Sequence, residues 1–457
     1  MARGKKATKA LTLEEKLEQA LVPEEEQPYA IPENWCWTNI ESINHYSSLS
    51  IEPMKQPDVI FELYSVPSSA DDYPEIITGS EIGSAKQSVI KNDVLLCKIN
   101  PRINRVWKVS QYTNNELLAS SEWIIVRNET INADYLMYCF STQYFREFML
   151  SNVSGVGGSL MRAQPKFVKN YPIPIAPLVE QQRIVTRIEN LFAKLDEAKE
   201  KAQTVIDGFE LRKSAVLHKA FTGELTEQWR KEHGIGLDSW KRLSIASICS
   251  SLKYGTAKKS EKSGSVVVIR MGNLQDGEID WSDLVYSNDK NDIEKYHLDI
   301  GDVLFNRTNS AALVGKTSIY RGEYPAIYAG YLIKLDYNHD IIIGDFLNYA
   351  LNTNNAKEYC NSVKTDGVNQ SNINAKKIGA YILSVPTIEE QTEIVAILQK
   401  LLAKEKKAKQ AAESVLAQID TMKKAILAHA FRGELGTNNP SDENAVELLK
   451  RVLSEKS

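Results

Sequence analysis

The chain contains an internal repeat whose two copies align without a gap. Residues 153–225 match residues 363–435, an offset of 210 positions. The strongest matches are Glu180-Gln181 with Glu390-Gln391, Ile184-Val185 with Ile394-Val395, and residues 220–225 with residues 430–435. Solenoid repeats have periods of only about 20–50 residues. The pattern therefore indicates one duplicated module, a pseudo-two-fold repeat, rather than an array.

Each half consists of a variable segment followed by the repeated block. The variable segments match loosely, although Asp93-Val94-Leu95 resembles Asp302-Val303-Leu304. Short β-type runs such as residues 266–269 mix with helical stretches, which predicts an α+β fold with two α/β domains. The expected segments are an N-terminal arm (1–30), a first domain (31–177), a central long helix and linker (178–235), a second domain (236–386), a C-terminal long helix (387–435) and a tail (436–457).

The repeated block is predicted to be a long helix with one apolar seam. Across residues 178–222, apolar or small side chains recur in steps of four and three, which is typical of a coiled coil. The first seam is Ile184, Ile188, Leu191, Leu195, Ala198, Ala202, Val205 and Phe209. Glu405 interrupts the second seam once. That seam is Ile394, Leu398, Leu401, Ala408, Ala412, Val415, Ile419 and Met422.

The ends of both helices carry local signals. Thr387 and Glu390 fit a capping box, while Gly223 and Gly433 suit C-terminal stops. Gly208 costs about 1 kcal/mol of helix propensity and marks a candidate bend. Two long helices with matching seams in one chain favour an antiparallel intramolecular coiled coil that holds the two domains apart. The alternative is that these helices join two chains.

Composition excludes several classes of protein. The 457 residues are too many for one ordinary core. No apolar run reaches the roughly 18–20 residues of a membrane span, and the N-terminus lacks the apolar region of a secretory signal. The five cysteines are scattered singly, which favours reduced thiols and a cytoplasmic protein.

Basic residues cluster locally although the formal net charge is −4. Segments 84–108 and 251–270 each carry several Lys and Arg residues against a single acidic residue. A solvated surface is the alternative for either cluster alone. Polar loops also recur at equivalent places in the two halves with different side chains, as two readers of different targets would show. These loops are residues 98–105 with 306–310, and residues 154–162 with 364–372.

The residue types in these segments suit DNA recognition. Arg reads guanine, Asn and Gln read adenine, and Lys98, Lys108 and Lys316 could hold phosphates. For Arg307, a guanine contact, a phosphate contact and a surface ion pair stay open. The predicted DNA-binding residues are Lys98, Asn100, Arg102, Asn104, Arg105, Lys108, Arg162, Lys253, Lys258, Arg270, Asn306, Arg307, Asn309, Lys316, Asn369, Gln370 and Asn372.

No enzyme motif is readable in the sequence. Asn100-Pro101 is followed by Arg102, so the Asn-Pro-Pro-aromatic motif of adenine methyltransferases is missing. Residues 311–317 lack the first glycine of a P-loop. The six histidines are isolated, without the spacing of zinc ligands. We therefore predict no catalytic site and no metal site in this chain.

Taken together, these motifs resemble the specificity subunit of type I restriction–modification systems. The resemblance covers residues 31–435. It rests on residues 172–185, the copy ending at residues 390–395, the two Ala-Phe-Xaa-Gly-Glu-Leu endings, and residues 301–305. It implies two target-recognition domains on two antiparallel helices and a split DNA target, with two specific halves around an unspecified spacer.

The resemblance also implies partners and cofactors. It implies two adenine-N6 methyltransferase subunits that use S-adenosylmethionine, and an ATP- and Mg-dependent translocase–nuclease subunit that joins for restriction in phage defence. This chain itself is expected to bind no cofactor. The arm and the tail are expected to lie close together, where the linker 227–238 lies in the other half. Two other interpretations remain: a coiled-coil scaffold whose domains bind protein, and an enzyme with a convergent site.

Overall fold

The chain forms two compact units in the computed structural model. The structure describes residues 11–151, 153–155, 161–368 and 370–456. The first unit contains residues 1–201 and 414–457, and the second contains residues 202–413. Both boundaries fall inside long helices, so each unit combines one globular domain with parts of both helices. Within the described ranges, no helix is long and apolar enough to cross a membrane.

The helices show where the long elements begin and end. They are α1 (Leu13–Ala20), α2 (Ile40–Ile43), α3 (Ala133–Phe140), α4 (Gln143–Ser151), α5 (Pro165–Val168), α6 (Leu178–Asp207), α7 (Phe209–Phe221), α8 (Glu227–His233), α9 (Ile245–Ile248), α10 (Lys290–Tyr296), α11 (Gly344–Leu351), α12 (Asn354–Val363), α13 (Ala375–Gly379), α14 (Ile388–Ala430) and α15 (Ala445–Glu455). The predicted stops are confirmed, because Gly223 and Gly433 have φ of 83° and 74°. The long helix predicted over residues 178–222 is interrupted at Gly208, the position that the sequence marked as a candidate bend.

Gly208 separates α6 from α7 with φ of −78° and ψ of −6°. In an unbroken helix, the carbonyl of Val205 would accept the N–H four residues later. Here Arg212 Nη2 donates to that carbonyl at 2.8 Å. A Cβ at position 208 would lie 2.4 Å from Arg212 Nη1. The glycine therefore leaves room for the arginine that caps the interruption.

The seam of α6 has the predicted register, because every predicted position is buried or half-buried. The seam of α14 departs from the prediction. Three predicted positions are exposed, namely Ala408, Val415 and Met422. The half-buried positions that replace them are Lys409, Leu416 and Lys423, and Glu405, which interrupts the predicted seam, is half-buried as well. Two consecutive steps of four after Leu401 move every second seam position by one residue, while Ala412 and Ile419 stay in the seam. Such steps follow the natural 3.6-residue turn more closely than a strict heptad does.

The two long-helix segments run antiparallel within each unit. In the first unit, Asp196 pairs with Lys423 at 2.7 Å, while the earlier residue Ile184 shares a core with the later residue Ala430. In the second unit, Arg212 Nε lies 2.7 Å from Glu405. That ion pair explains why a glutamate occupies a seam position.

The first unit contains a five-stranded sheet and a three-stranded sheet. Its strands are β1 (Cys36–Asn39), β2 (Ser50–Ile51), β3 (Ile60–Tyr64), β4 (Glu75–Thr78), β5 (Lys86–Ser88), β6 (Val94–Cys97), β7 (Val106–Lys108), β8 (Glu116–Ala119), β9 (Trp123–Val126), β10 (Val153–Ser154), β11 (Arg162–Ala163) and β12 (Pro172–Ile175). The sheet orders are β2-β5-β8-β3-β4 and β7-β6-β9, and β1 pairs with β12 while β10 pairs with β11.

The arm and the tail belong to the core of the first unit. Helix α1 contacts α15, and Lys16 Nζ donates to Lys456 O at 3.3 Å. Leu448, Leu449 and Val452 of α15 are buried in the same apolar cluster as the domain's own strands and helices. The described parts of the arm and the tail, residues 11–30 and 436–456, therefore lie together, as expected, and they form part of the structural core.

The second unit repeats this plan with different strand lengths. Its strands are β13 (Lys241–Ser244), β14 (Cys249–Tyr254), β15 (Val266–Ile269), β16 (Leu274–Gln275), β17 (Glu278–Ile279), β18 (Tyr286–Ser287), β19 (Val303–Asn306), β20 (Thr308–Asn309), β21 (Thr317–Ile319), β22 (Ala326–Tyr328), β23 (Leu332–Tyr337), β24 (Thr365–Asp366), β25 (Ser371–Asn372) and β26 (Ile382–Val385). The sheet orders are β14-β23-β19-β21, β18-β15-β22 and β20-β25-β24, and β13 pairs with β26 while β16 pairs with β17.

The shared Asp-Val-Leu motif begins the same central strand in both units. In β6 and β19 the apolar residues after the aspartate are buried. Asp93 accepts two hydrogen bonds from Arg127, at 2.8 and 2.7 Å. Asp302 pairs with Lys334 at 2.6 Å. The side chain of each aspartate also accepts the N–H of the residue three positions earlier. The motif thus closes a turn and pairs with a cation before the strand begins.

Candidate nucleic-acid interface

The repeated Glu-Gln pair fixes each globular domain to its long helix. All four side chains are fully buried. Gln181 Oε1 accepts the N–H of Asn132 at 3.0 Å, and Gln391 Oε1 accepts the N–H of Ile343 at 2.9 Å. Asn132 and Ile343 are the N-cap residues of α3 and α11. The glutamine therefore joins the same two elements in both units.

The glutamate of the pair also has an equivalent partner in both units. Trp35 Nε1 donates to Glu180 at 2.8 Å, and Trp240 Nε1 donates to Glu390 at 2.9 Å. The tryptophan lies near the start of each domain, so this bond ties the beginning of the domain to the helix that follows it. The need for this bond explains why a tryptophan and a glutamate occur at matched positions in both halves of the sequence.

The remaining partners of the two glutamates differ. Glu390 binds Arg230 Nη1 at 2.7 Å, whereas Glu180 accepts Asn438 Nδ2 at 2.9 Å. The N–H of Glu390 lies 3.4 Å from Thr387 Oγ1, but its carboxylate turns to Arg230. The reciprocal half of the predicted capping box is therefore absent from these contacts, because a buried carboxylate gains more from a cation.

Two loops that lie far apart in sequence meet in the first unit. The N–H of Ala163 donates to Lys98 O at 2.9 Å, and the N–H of Asn100 donates to Met161 O at 2.9 Å. Ile99 and Arg162 form an antiparallel bridge. We call residues 98–105 together with 161–163 the first paired loops. The predicted loop 154–162 lies partly outside the described residues, at 156–160.

The same pairing occurs in the second unit. The N–H of Ile373 donates to Arg307 O at 2.9 Å, and Thr308 pairs with Asn372 between β20 and β25. We call residues 306–310 together with 364–372 the second paired loops. The structure thus joins the two separately predicted loops of each half into one surface, which the sequence did not indicate.

The predicted residues of the first unit have different environments. Arg102 is exposed and Arg105 is half-buried. Arg162 keeps 58% of its side chain exposed while it pairs with Glu122 at 3.0 Å. Two others are turned inward: Asn104 Nδ2 donates to Phe140 O at 3.0 Å, and Lys108 pairs with Asp134 of α3.

Lys98 and Asn100 lie where the first paired loops join. Lys98 Nζ donates to Ser121 O. Asn100 has φ of 47°, and its Oδ1 is buried without a hydrogen-bond partner among the described residues. An unpaired buried acceptor is costly unless a partner arrives. Asn100 therefore remains a candidate for contact with a bound ligand.

The basic residues of the second unit form surface ion pairs within their own domain. Lys253 lies 3.3 Å from Asp336, Lys258 lies 2.6 Å from Asp289, and Arg270 lies 2.8 Å from Asp283; the three cations are 59%, 57% and 36% exposed. Exposed pairs of this kind contribute only about 0–1 kcal/mol. Exchanging such a carboxylate for a phosphate therefore costs little.

The other predicted residues lie in the second paired loops, except Lys316, which lies just beyond residues 306–310. Asn306 is fully buried and its Nδ2 reaches Met271 O at 3.4 Å. We therefore leave it out of the residues proposed to contact DNA. Asn309 is half-buried and Gln370 is exposed. Lys316 Nζ donates to Gln275 Oε1 at 2.7 Å. Asn369 lies outside the described residues.

Arg307 and Asn372 contact each other inside the second paired loops. Arg307 Nη2 lies 3.4 Å from Asn372 Oδ1, and Asn372 Nδ2 donates to Thr308 Oγ1 at 2.8 Å. The Arg307 guanidinium also stacks 4.7 Å from the centre of the Tyr254 ring. Tyr254 and the neighbouring Tyr331 are 41% and 51% exposed. Both tyrosines were missed from the sequence. Tyr254 directly follows the predicted DNA-binding residue Lys253, but nothing in the sequence around Tyr331 singles it out.

The cysteines are free thiols that lie buried or half-buried. Burial raises the pKa of Cys36 and of Cys249 to about 12, so these thiols stay protonated at neutral pH. All five cysteines are free. In the part of the chain that the structure describes, no group of three or more His, Cys, Asp or Glu residues is arranged to hold a metal ion.

Both halves of the chain match one protein family. The model of the type I restriction modification DNA specificity domain matches residues 58–206 and again residues 238–414. The chain belongs to this family. The family resemblance, the two-domain fold with long helices, and the prediction of a non-catalytic DNA-specificity subunit are thereby confirmed.

Curated members of the specificity family are similar over most of their length. The chain is 28% identical over 318 residues to the type I restriction enzyme EcoKI specificity subunit of Escherichia coli K12, covering 66% of this chain and 67% of that protein. It is 25% identical over 340 residues to the StySPI specificity subunit of Salmonella potsdam, covering 72% of each. The crystal structure of an HsdS subunit from Thermoanaerobacter tengcongensis superposes with a TM-score of 0.68 at 20% identity, over 90% of this chain and 99% of that one.

Proposed function

We propose that this specificity subunit reads a split DNA target, with one half-site contacted by each set of paired loops. The observation that carries the proposal is the shared backbone pairing of these loops. Ala163 and Ile373 make the same hydrogen bond to Lys98 and Arg307 respectively. The scaffold is thus repeated while the side chains on it differ. A pair of readers with different sequence preferences needs this combination.

The charges around the loops support a DNA partner over a protein partner. Arg102 and Arg162 in the first unit, and Lys253 and Lys258 in the second, are exposed cations. The carboxylates of Glu122, Asp336 and Asp289 that pair with them are partly exposed and can be exchanged for phosphates, whereas the second partner of Lys258, Asp292, is buried. Cations that neutralise phosphates make binding strongly dependent on salt. The paired loops would then supply the contacts to base edges.

The chain would act as the recognition component of a larger enzyme. Its partners would be two adenine methyltransferase subunits, which bind S-adenosylmethionine, and a restriction subunit that uses ATP and magnesium. The assembly would act in the cytoplasm, where its DNA substrate lies. Methylation of an adenine requires that the base leave the stack, which is a task for the methyltransferase subunit and not for this chain.

Exchange of one recognition domain tests the proposal. Residues 31–177 are replaced by the corresponding domain of another family member, and the assembled methyltransferase is expressed in cells whose methylated sites are mapped. One half of the methylated target should change and the other half should stay. The matched control replaces residues 236–386 and should change only the other half. A change of both halves in either chimera would contradict a separate reader in each domain.

Salt dependence separates this function from a protein-binding scaffold. The subunit, alone and assembled, is titrated with target and unrelated DNA at several salt concentrations. We expect binding to weaken steeply as salt rises and the purified subunit alone to transfer no methyl group. DNA binding that is absent at low salt would favour the scaffold. Methyl transfer by the subunit alone would show an enzyme.

A further inference from the structure

We infer that Lys98 and Arg307 are equivalent positioning residues, which hold the paired loops in place and do not read bases. The inference rests on the proposed DNA-reading function and adds a division of labour within each set of loops. The two residues are of different types, and the matched Asp-Val-Leu motifs align them in sequence. The structure adds that their contacts are equivalent.

The backbone places the two residues at the same point of the fold. Lys98 follows β6 directly, and Arg307 follows β19 directly. The N–H of Lys98 donates to Glu122 O at 2.9 Å, and the N–H of Arg307 donates to Tyr331 O at 3.0 Å. Their carbonyls accept from Ala163 and Ile373, both at 2.9 Å. The N–H of each residue is therefore bonded to the turn before the neighbouring strand of its sheet. The carbonyl of each residue is bonded to the second loop.

The side chains of Lys98 and Arg307 also donate to equivalent backbone carbonyls in the two units. Lys98 Nζ donates to the carbonyl of Ser121, and Arg307 Nη1 donates to the carbonyl of Gly330 at 3.2 Å. Ser121 and Gly330 each precede the residue that accepts the backbone N–H. Two readers of different sequences have no reason to share a base contact, but they share the need to hold a loop still. A role common to both halves is therefore a positioning role.

The remaining contacts of Arg307 strengthen this assignment. Its guanidinium stacks on Tyr254 and approaches Asn372 on the opposite loop. Its Nε is buried without a hydrogen-bond partner among the described residues, so the two terminal nitrogens make the bonds that hold the loop. A guanine contact needs two parallel N–H groups presented to one base edge. The bonds to Gly330 and Asn372 occupy one N–H on each terminal nitrogen of Arg307, so a bidentate guanine contact would compete with the bonds that hold the loop carrying exposed Gln370.

Single substitutions in the assembled methyltransferase test the inference. Arg307→Ala and Arg307→Lys are assayed against every single-base variant of the half-site read by the second unit. We expect Arg307→Ala to lower kcat/KM on the intact target roughly ten-fold and to relax preference at several neighbouring base pairs. Arg307→Lys should recover only part of this loss, because the ammonium can still reach Gly330 O as Lys98 reaches Ser121 O, but it lacks the planar fork that stacks on Tyr254 and reaches Asn372.

Three other results would each overturn the inference. Relaxation at one base pair alone would mean a base contact. A uniform loss on all sequences, with the salt slope reduced by about 1, would mean a phosphate contact. An unchanged enzyme would mean no role. If the wild-type assembly itself shows no sequence preference, the proposed DNA-reading function fails and not merely this inference.

Two further variants keep the test decisive if Arg307→Ala does not fold. Tyr254→Leu removes the stacked ring from a 41% exposed position and should give a weaker form of the same multi-position relaxation. Lys98→Met in the first unit should relax only the other half-site, with Lys98→Arg as its conservative match. A multi-position change confined to the half-site of the altered unit supports the inference, and a single-position or unchanged preference in both variants rejects it.

Discussion

The two units hold the same buried glutamate by different means. Glu180 is bound by Trp35 and by neutral groups of the C-terminal tail, Thr437 and Asn438. Glu390 is bound by Trp240 and by groups of the central linker, among them the cation of Arg230. The helices differ as well, because α14 is unbroken at Gln418, the position that corresponds to Gly208.

This difference shows which part of the junction the fold requires. The Trp–Glu bond and the glutamine bridge to the N-cap recur in both units, so they define the junction. The third partner can be charged or neutral, and it comes from whichever segment follows the long helix. A buried carboxylate needs its hydrogen bonds satisfied, and either an amide or a guanidinium meets that need.

The largest expected effect comes from removing Arg230. Arg230→Met leaves Glu390 buried without its cation, and breaking a buried pair costs about 3–5 kcal/mol. Asn438→Ala is the matched change in the first unit and should cost only about 1 kcal/mol, since the tryptophan and threonine donors remain. Amide hydrogen exchange of peptides from each unit, with urea unfolding, measures both. Equal losses of stability from Arg230→Met and Asn438→Ala would contradict the inferred difference between the charged and the neutral junction.

A smaller effect is expected from the glutamine bridges. Gln391→Leu removes a bond to the N–H of Ile343 and two bonds to the carbonyls of Ile341 and Pro386. It should destabilise the second unit by about 1–3 kcal/mol. Gln181→Leu should destabilise the first unit. Hydrogen exchange at the first turns of α11 and α3 measures the local change; a loss spread evenly over both units would contradict a local bridge.

The smallest expected effect is at Gly208. Gly208→Ala gains about 1 kcal/mol of helix propensity but crowds Arg212 Nη1, so its net effect should lie within about 1 kcal/mol of zero. In an Arg212→Ala background the crowding is gone and the same change should stabilise the second unit by about 1 kcal/mol. Thermal unfolding of the four chains measures this coupling. Identical effects of Gly208→Ala in both backgrounds would show that the glycine does not serve Arg212.

Much of the architecture was predictable because it depends on the spacing of apolar residues along the chain and on the internal repeat. The seam of α6 follows from the spacing of its apolar residues, and the positive φ of Gly223 and Gly433 follows from the need of a helix end for a left-handed residue. The matched Glu-Gln pairs revealed the duplication, although not what those residues bind. The register change after Leu401 escaped prediction, because Glu405 occupies the seam only through its ion pair with Arg212.

The sequence predicted which residue types form the candidate site and which loops contain them, but it did not predict which of these residues contact one another. Sequence indicated that both loops of each half are polar and variable, and it favoured Arg, Asn and Lys as DNA-binding residues. It did not indicate that Arg307 and Asn372 meet, because they are distant in the chain and bond across paired loops. Nor did it show that Asn306 is fully buried, since one residue separates a strand's interior from an exposed turn.

The sequence by itself determined the duplicated plan, the helical period and the chemistry available to the loops, since these depend on near neighbours and on exact repetition. Tertiary structure alone decided which polar side chains are free. Lys98 and Arg307 look like DNA-binding cations in the sequence, yet each donates to a backbone carbonyl in the turn before a neighbouring strand. The physical reason is that a buried or half-buried donor takes the nearest acceptor, and strand pairing between distant residues decides which acceptor is nearest.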